Sequence, residues 1–208
     1  MVHDRNYQMI LENNLTKTIV RHHLHQGVIY PRKKKYERVR FTLFRMMRLI
    51  QKRFALDMQT YFIACNIYDI IVLKAKKYVF REKNRFLVYV IMYMASKYED
   101  VYAIDIYDIV ENEDEKKKLI DFEQKIFQWL DYKIPHITTY ALVRQISHFC
   151  PELRFESSQW EKCKQYLYEN HRHSAKLSYN AIRIISKTLH LTESSVKEIV
   201  YQRILCNN

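Results

Sequence analysis

Two charged residues stand where apolar side chains belong, and they are the chain's leading candidates for specific chemistry. Glu123 interrupts the helical stripe Leu119, Phe122, Ile126, Phe127 and Leu130, and Lys97 follows Val90 and Met94 at helical spacing on an otherwise apolar face. A carboxylate or an ammonium group in such a place is costly unless it meets a partner. The two could neutralise each other, or each could sit at a helix end with its head group in water. Alternatively, one needs a donor and the other an acceptor from a second molecule. A second cluster, Cys150, Cys163, His171 and His173, has the spacing C-x12-C-x7-H-x-H. It lacks the close cysteine pair with which zinc patterns begin, so it reads as scattered thiols and surface imidazoles, and no metal is expected. His22, His23 and His25 read as solvated residues.

The chain has one glycine, Gly27, and three prolines, Pro31, Pro135 and Pro151. Backbone cradles for phosphate need residues without a Cβ, so neither G-x-x-x-x-G-K-[ST] nor G-x-G-x-x-G can be built, and G-x-S-x-G is absent as well. Nucleotide-binding enzymes and α/β-hydrolases are thereby disfavoured, and no cofactor is expected. An average chain of this length would carry roughly fourteen glycines and ten prolines. With neither Asn-Gly nor Asp-Gly for hairpins, the chain reads as all-α.

Helices must therefore position Lys97 and Glu123. An amphipathic pattern from Tyr7 to Val20 (Tyr7, Leu11, Leu15, Ile19) predicts an outlying helix, followed by a connection through Gly27 and Pro31 and the basic segment Arg32 to Arg38. Val39, Leu43, Met46, Met47, Ile50 and Phe54 form the stripe of a first body helix. Asp57 caps a second, Met58 to Leu73, which is apolar nearly all round. The third, about Lys83 to Tyr98, is apolar on every face in its middle and is expected to be central. A short fourth helix is expected over Ile104 to Glu111, with Asn112 to Lys118 as a turn before a fifth, Lys117 to Leu130. After Pro135, helices are expected near Thr138 to Phe149, Ser158 to Ala175, Ser178 to Leu189 and Glu193 to Leu205. Ser158 and Glu161 suggest a capping box, and Thr192 a cap for the last helix.

The 208 residues are 48% hydrophobic, 28% charged and 14% aromatic, which excludes the composition of a disordered chain. Cys65, Cys150, Cys163 and Cys206 are widely spaced and follow no secretory signal pattern, so reduced thiols in an intracellular protein, nuclear or cytoplasmic, are expected. The longest apolar run, Phe86 to Ala95, is about half of the roughly 20 residues that span a bilayer. No membrane association is expected. The net charge of +12, with basic runs at Arg32 to Lys35, Lys74 to Lys77 and Lys116 to Lys118, favours acidic partners. Solvated helix ends are the ordinary explanation for these runs, and nucleic acid is the less expected one.

The segment Met94-Ala95-Ser96-Lys97-Tyr98-Glu99-Asp100-Val101-Tyr102 closely resembles the cyclin-box sequence ASKYEEIY of A- and B-type cyclins. Val39-Arg40-Phe41-Thr42-Leu43 stands where cyclins carry MRAIL. Phe54-Ala55-Leu56 followed by Thr60, Ala64, Asn66 and Asp69 is similar to the family's T-L-x-L-A-V-N-x-x-D pattern. Phe122-Glu123 through Phe127, Leu130 and Tyr132 resembles M-E-x-x-x-L-x-x-L-x-F. The resemblance covers residues 7 to 134 and implies an all-α cyclin fold, a five-helix bundle around a central helix. The organisation expected is an N-terminal helix and basic connection over 1–36, the cyclin box over 37–134, and a truncated helical cyclin-like domain over 135–208.

In function, the resemblance implies a non-catalytic regulatory subunit that binds and activates a cyclin-dependent Ser/Thr protein kinase in cell-cycle control. Lys97 and Glu123 would then reach the kinase backbone. Tyr98, Phe127, Tyr132 and Ile134 would supply apolar contact, with Leu11 and Leu15 at its edge. The substrate-docking patch departs from the family: around Val39, Arg40 and Leu43 the matching positions hold Met46, Leu49 and Arg85, and Leu49 replaces an acid. Docking of RxL motifs is therefore expected to be weak or absent. Arg21-x-x-Leu24 has only the bare spacing of a destruction box. The competing implication is a nucleic-acid-binding protein built from cyclin-type folds, similar to transcription factor IIB, which the +12 charge would suit.

Overall fold

The computed structural model describes residues 34–75, 84–170 and 177–205, and among them there is helix, turn and loop but no strand. The all-α expectation holds. The chain divides into two units, one spanning Tyr30–Thr138 and the other containing Thr139–Asn208. The expected N-terminal helix, Leu11 and Leu15, Arg21-x-x-Leu24, His22, His23 and His25, His171 and His173, and Cys206 all lie outside the described residues.

In the first unit, helix α1 spans Lys34–Arg53, α2 Met58–Lys74, α3 Asn84–Glu99 and α4 Glu113–Trp129. Helix α1 is amphipathic: Leu43, Phe44, Met47 and Ile50 are buried, while Arg38, Arg45, Arg48 and Lys52 are exposed. Its end is a tight left-handed turn in which the Leu56 amide donates to the Gln51 carbonyl at 3.0 Å and Ala55 takes φ 49°. Asp57 then caps α2, accepting from the Gln59 amide at 2.6 Å.

Every residue of α2 from Met58 to Asp69 is buried. Helix α3 packs on α1, α2 and α4, as its apolar middle suggested, but α2 also touches all three of the others. The centre is thus shared, and α2 is its more deeply covered half. Each fully buried Phe or Ile there, such as Phe62, Ile63 and Ile67, contributes roughly 1.5–3 kcal/mol.

The polar residues of α2 serve its surroundings. Gln59 Nε2 donates to the His136 carbonyl at 2.7 Å, and Gln59 Oε1 accepts from Thr138 Oγ1 at 2.7 Å. Asn66 Nδ2 donates to the Ile137 carbonyl at 2.9 Å. A chain segment without helical bonds of its own is held this way, its carbonyls satisfied by buried amides.

Two expectations need correction here. The fourth helix over Ile104 to Glu111 is only a 3₁₀ turn, Ile106–Asp108. Asp105 caps it through the Tyr107 amide, and Asn112 caps α4 through the Glu115 amide, so two N-caps close together leave no room for a longer helix. For the same reason Asn112 to Lys118 is no separating turn. Glu113, Asp114 and Glu115 form the first turn of α4, where their charges favour the positive end of the helix dipole.

In the second unit, α5 spans Thr139–Phe149, α6 Ser157–Asn170, α7 Leu177–Leu189 and α8 Glu193–Val200. Helix α7 packs on α5, α6 and α8 around Leu142, Val143, Ile146, Cys163, Leu167, Ile184, Ile185 and Val196. The expected box at Ser158 and Glu161 is displaced. Helix α6 begins at Ser157, and it is Gln159 Oε1 that accepts from the Glu156 amide at 2.9 Å. Thr192 caps α8 as expected, accepting from the Ser195 amide at 3.1 Å. The last helix ends at Val200 and passes into a wider π-type turn, Tyr201–Leu205, where Arg203 Nε meets Glu152 at 2.9 Å.

Candidate functional site

Lys97 lies in the last turn of α3 and Glu123 in the buried face of α4, two helices that pack together. Their side chains meet: Lys97 Nζ is in ion-pair contact with Glu123 Oε1, and Nζ also sits 4.4 Å from the centre of the Tyr93 ring. The Lys97 ammonium group is thus the counter-charge of Glu123 Oε1. The Glu123 side chain is 10% exposed and that of Lys97 is 41% exposed. The arrangement is a carboxylate at the floor and an ammonium group at the rim. It leaves acceptor capacity unused on one and donor capacity on the other, since a lysine carries three donors.

Large apolar and aromatic side chains are exposed at the end of α3 and on the segments that follow α3 and α4. Tyr98 is exposed and tilts against the His136 ring, with ring centres 6.5 Å apart. Beyond α3 the chain presents Val101, 92% exposed, and Tyr102, 89% exposed, on a loop that Ser96 Oγ anchors by accepting from the Ile104 amide at 3.1 Å. Asp100 is turned inward, accepting from the Asp57 amide at 2.8 Å and the Thr60 hydroxyl at 2.5 Å. The motif therefore splits by role: Ser96 and Asp100 hold the loop and the start of α2, leaving Lys97, Tyr98, Val101 and Tyr102 outward.

The end of α4 completes the surface. The Tyr132 amide donates to the Phe127 carbonyl at 2.9 Å and the Asp131 amide to that of Gln128 at 3.1 Å, closing a left-handed turn. Asp131 has φ 51° and Tyr132 φ 58°, two consecutive left-handed residues without a glycine. Each costs roughly 1–2 kcal/mol. Lys74 Nζ meets the Asp131 carboxylate at 2.5 Å, and Tyr132 stands 73% exposed. Phe127 and Ile134 are half-buried.

A family model described as the cyclin N-terminal domain matches residues 7–135, more than half of the chain. The chain belongs to the cyclin family. Comparison with curated proteins gave no match. Cyclins in general are non-catalytic regulators with a kinase partner. In this cyclin no helix among the described residues is long and apolar enough to cross a membrane.

The positions matching the family's substrate-docking patch are dispersed by the fold. Arg40 is committed to the interior: its Nε and terminal nitrogen bind Asp69 Oδ1 and Oδ2 at 2.7 and 2.8 Å, and the guanidinium lies 4.2 Å from the Phe44 ring centre. Leu43 is in the core. Val39 and Met46 are half-buried, whereas Leu49 and Arg85 are exposed. Burial holds the Asp69 carboxyl above its ordinary range, against the opposing pull of Arg40. Cys65, Cys150 and Cys163 are buried free thiols, and burial pushes the Cys163 thiol up to about 12. No group of three or more His, Cys, Asp or Glu side chains among the described residues is arranged to hold a metal.

Sequence reasoning missed Val101, Tyr102 and His136 as surface residues. The available signal was their position: Val101 and Tyr102 are apolar residues beyond the end of a helix, where no stripe can bury them.

Proposed function

We propose that this cyclin is the regulatory, non-catalytic subunit of a cyclin-dependent Ser/Thr protein kinase, which it binds and activates in cell-cycle control, in the nucleus or cytoplasm. The observation that carries the reading is the Lys97–Glu123 pair, its lysine half-exposed and its carboxylate nearly covered, on two packed helices whose ends and following segments leave Tyr98, Val101, Tyr102 and Tyr132 exposed. One donor and one acceptor within an apolar surface fix the register of a docked helix and exclude water around it. Binding would act by population shift, favouring the kinase conformation in which its regulatory helix supplies the catalytic glutamate to the ATP-binding lysine. Complexes of this kind often bury more than roughly 2,000 Å². RxL-type docking is expected to be weak, because Arg40 and Leu43 are turned inward and Leu49 presents no charge.

The test is co-purification of the chain with a panel of monomeric cyclin-dependent kinases, comparing wild type with Lys97→Ala, Glu123→Ala. Truncating a buried interfacial charge costs roughly 2–5 kcal/mol, so retention and activation should both disappear in the variant. Wild type that retains no kinase would remove the reading.

A second reading, nucleic-acid binding in the manner of transcription factor IIB, is favoured by one observation: Arg38, Arg45 and Lys52, all exposed, recur every seven residues along α1. It requires duplex binding that falls steeply with salt.

A further inference from the structure

A cationic cleft in the second unit is left unused by the kinase-binding reading. It is open to solvent, measures about 620 Å³ and lies among α6, α7 and α8, with Tyr166, Arg183, Lys187 and His190 in its lining. Two cations and an imidazole, Arg183, Lys187 and His190, recur at spacings of four and three, on one face of α7 and the turn that ends it. All three are exposed. Among the described residues none of them has a carboxylate within ion-pair distance. Lys187 is held instead by the Tyr166 ring, its Nζ 3.9 Å from the ring centre.

Two features of this cleft act against stability. Like charges four residues apart, Arg183 and Lys187, repel each other, and neither forms an ion pair among the described residues. His190 has φ 57° at the position after α7 where glycine is the usual occupant. The turn around it is clamped twice, by the Leu191 amide donating to the Ser186 carbonyl at 3.0 Å and by Ser186 Oγ donating to the Leu191 carbonyl at 2.5 Å. A rigid turn thus holds an imidazole at a strained position in the cleft wall.

We propose that this cleft binds a phosphomonoester dianion, carried by a phosphorylated serine or threonine of a protein partner. An arginine fork matches two phosphoryl oxygens and a lysine supplies a point charge to a third. The open side admits a side chain projecting from a longer chain rather than enclosing a whole small molecule. Glu193 also lines the cleft. Its negative charge opposes the row of phosphates of a nucleic acid strand, yet it leaves the site net positive for a single dianion. The inference stands apart from kinase activation, and the chain alone suffices to test it.

The intact chain is titrated into a fluorescent phosphoserine peptide, its unphosphorylated counterpart and a DNA duplex, with inorganic phosphate as competitor. The phosphopeptide should bind at least about tenfold more tightly than its counterpart, and Arg183→Ala, Lys187→Ala should remove at least about tenfold of that affinity. His190→Gly is the decisive variant. It should weaken phosphopeptide binding by about threefold while the melting temperature stays level or rises, because glycine suits the left-handed turn. Equal binding of the two peptides, or full phosphopeptide affinity in the double variant, overturns the proposal. DNA binding that falls in the double variant while phosphopeptide affinity does not also overturns it. Inorganic phosphate competing at the same concentration as the peptide overturns the protein source and reassigns the site to small phosphates.

Discussion

Arg40→Ala should be among the most damaging single substitutions in the first unit. The Asp69 side chain is 3% exposed and both of its oxygens are bound by the Arg40 guanidinium. Removing the arginine strands a buried carboxylate, which costs roughly 3–5 kcal/mol. Against a domain stability of about 5–15 kcal/mol this is a large fraction. At about 4–8 °C per kcal/mol for a unit of this size, the melting transition of the first unit should fall by at least about 12 °C. The loss depends on pH in a fixed direction. Burial already raises Asp69, so the folded state holds that proton more tightly than the unfolded chain, and the group favours folding least once pH has risen through its folded pKa. Without Arg40 both lowering influences vanish and the pKa rises further. The deficit of Arg40→Ala should therefore be larger at about pH 8 than at about pH 5. Urea unfolding at both pH values measures this, with Arg40→Met, Asp69→Leu as control. Replacing both partners by apolar groups should recover most of the loss. A single variant that loses under about 1 kcal/mol, or a double variant whose loss equals the sum of the two singles, would refute the reasoning.

Other outcomes follow from the same geometry. Tyr132→Gly should raise stability by up to about 1 kcal/mol by relieving a left-handed residue, while weakening kinase retention by removing an exposed ring; calorimetry and co-purification read the two effects separately. Asp100→Ala should cost about 1–3 kcal/mol in denaturant unfolding, since the Asp57 amide and the Thr60 hydroxyl lose their acceptor. Lys74→Ala should cost under about 1 kcal/mol, because its partner Asp131 is exposed. Cys65, Cys150 and Cys163 should resist alkylation in the native protein and react on unfolding, as read by mass spectrometry.

The parts of the fold that a local signal specifies were legible in the sequence. Asp57 and Thr192 announce their helices because a cap acts within three residues of itself. The fourth helix failed because Asp105 and Asn112 are both caps, and an apolar periodicity between them counts for less than the turns they impose. Arg40 belongs to a surface pattern in the family resemblance, yet its partner Asp69 lies 29 residues away, and nothing local distinguishes an inward arginine from an outward one. Lys97 and Glu123 were conspicuous as charges in apolar stripes. That they meet each other depends on how α3 and α4 pack, which spacing along the chain does not carry.

The buried amides of α2 also bear on how the chain is made. Gln59 closes on Thr138 across 79 residues, and Asn66 on Ile137 across 71. At a synthesis rate of about 5–20 residues per second, roughly 4–16 s separate the emergence of Gln59 from that of its partner. During that interval the side-chain amides of Gln59 and Asn66 lack these partners, although Asp69 already has Arg40, and the last bonds of α2 close when the segment after α4 arrives. The unit's completion is thus timed by translation, and a ribosome stalled before Thr138 should display a chain that chaperones recognise as unfinished.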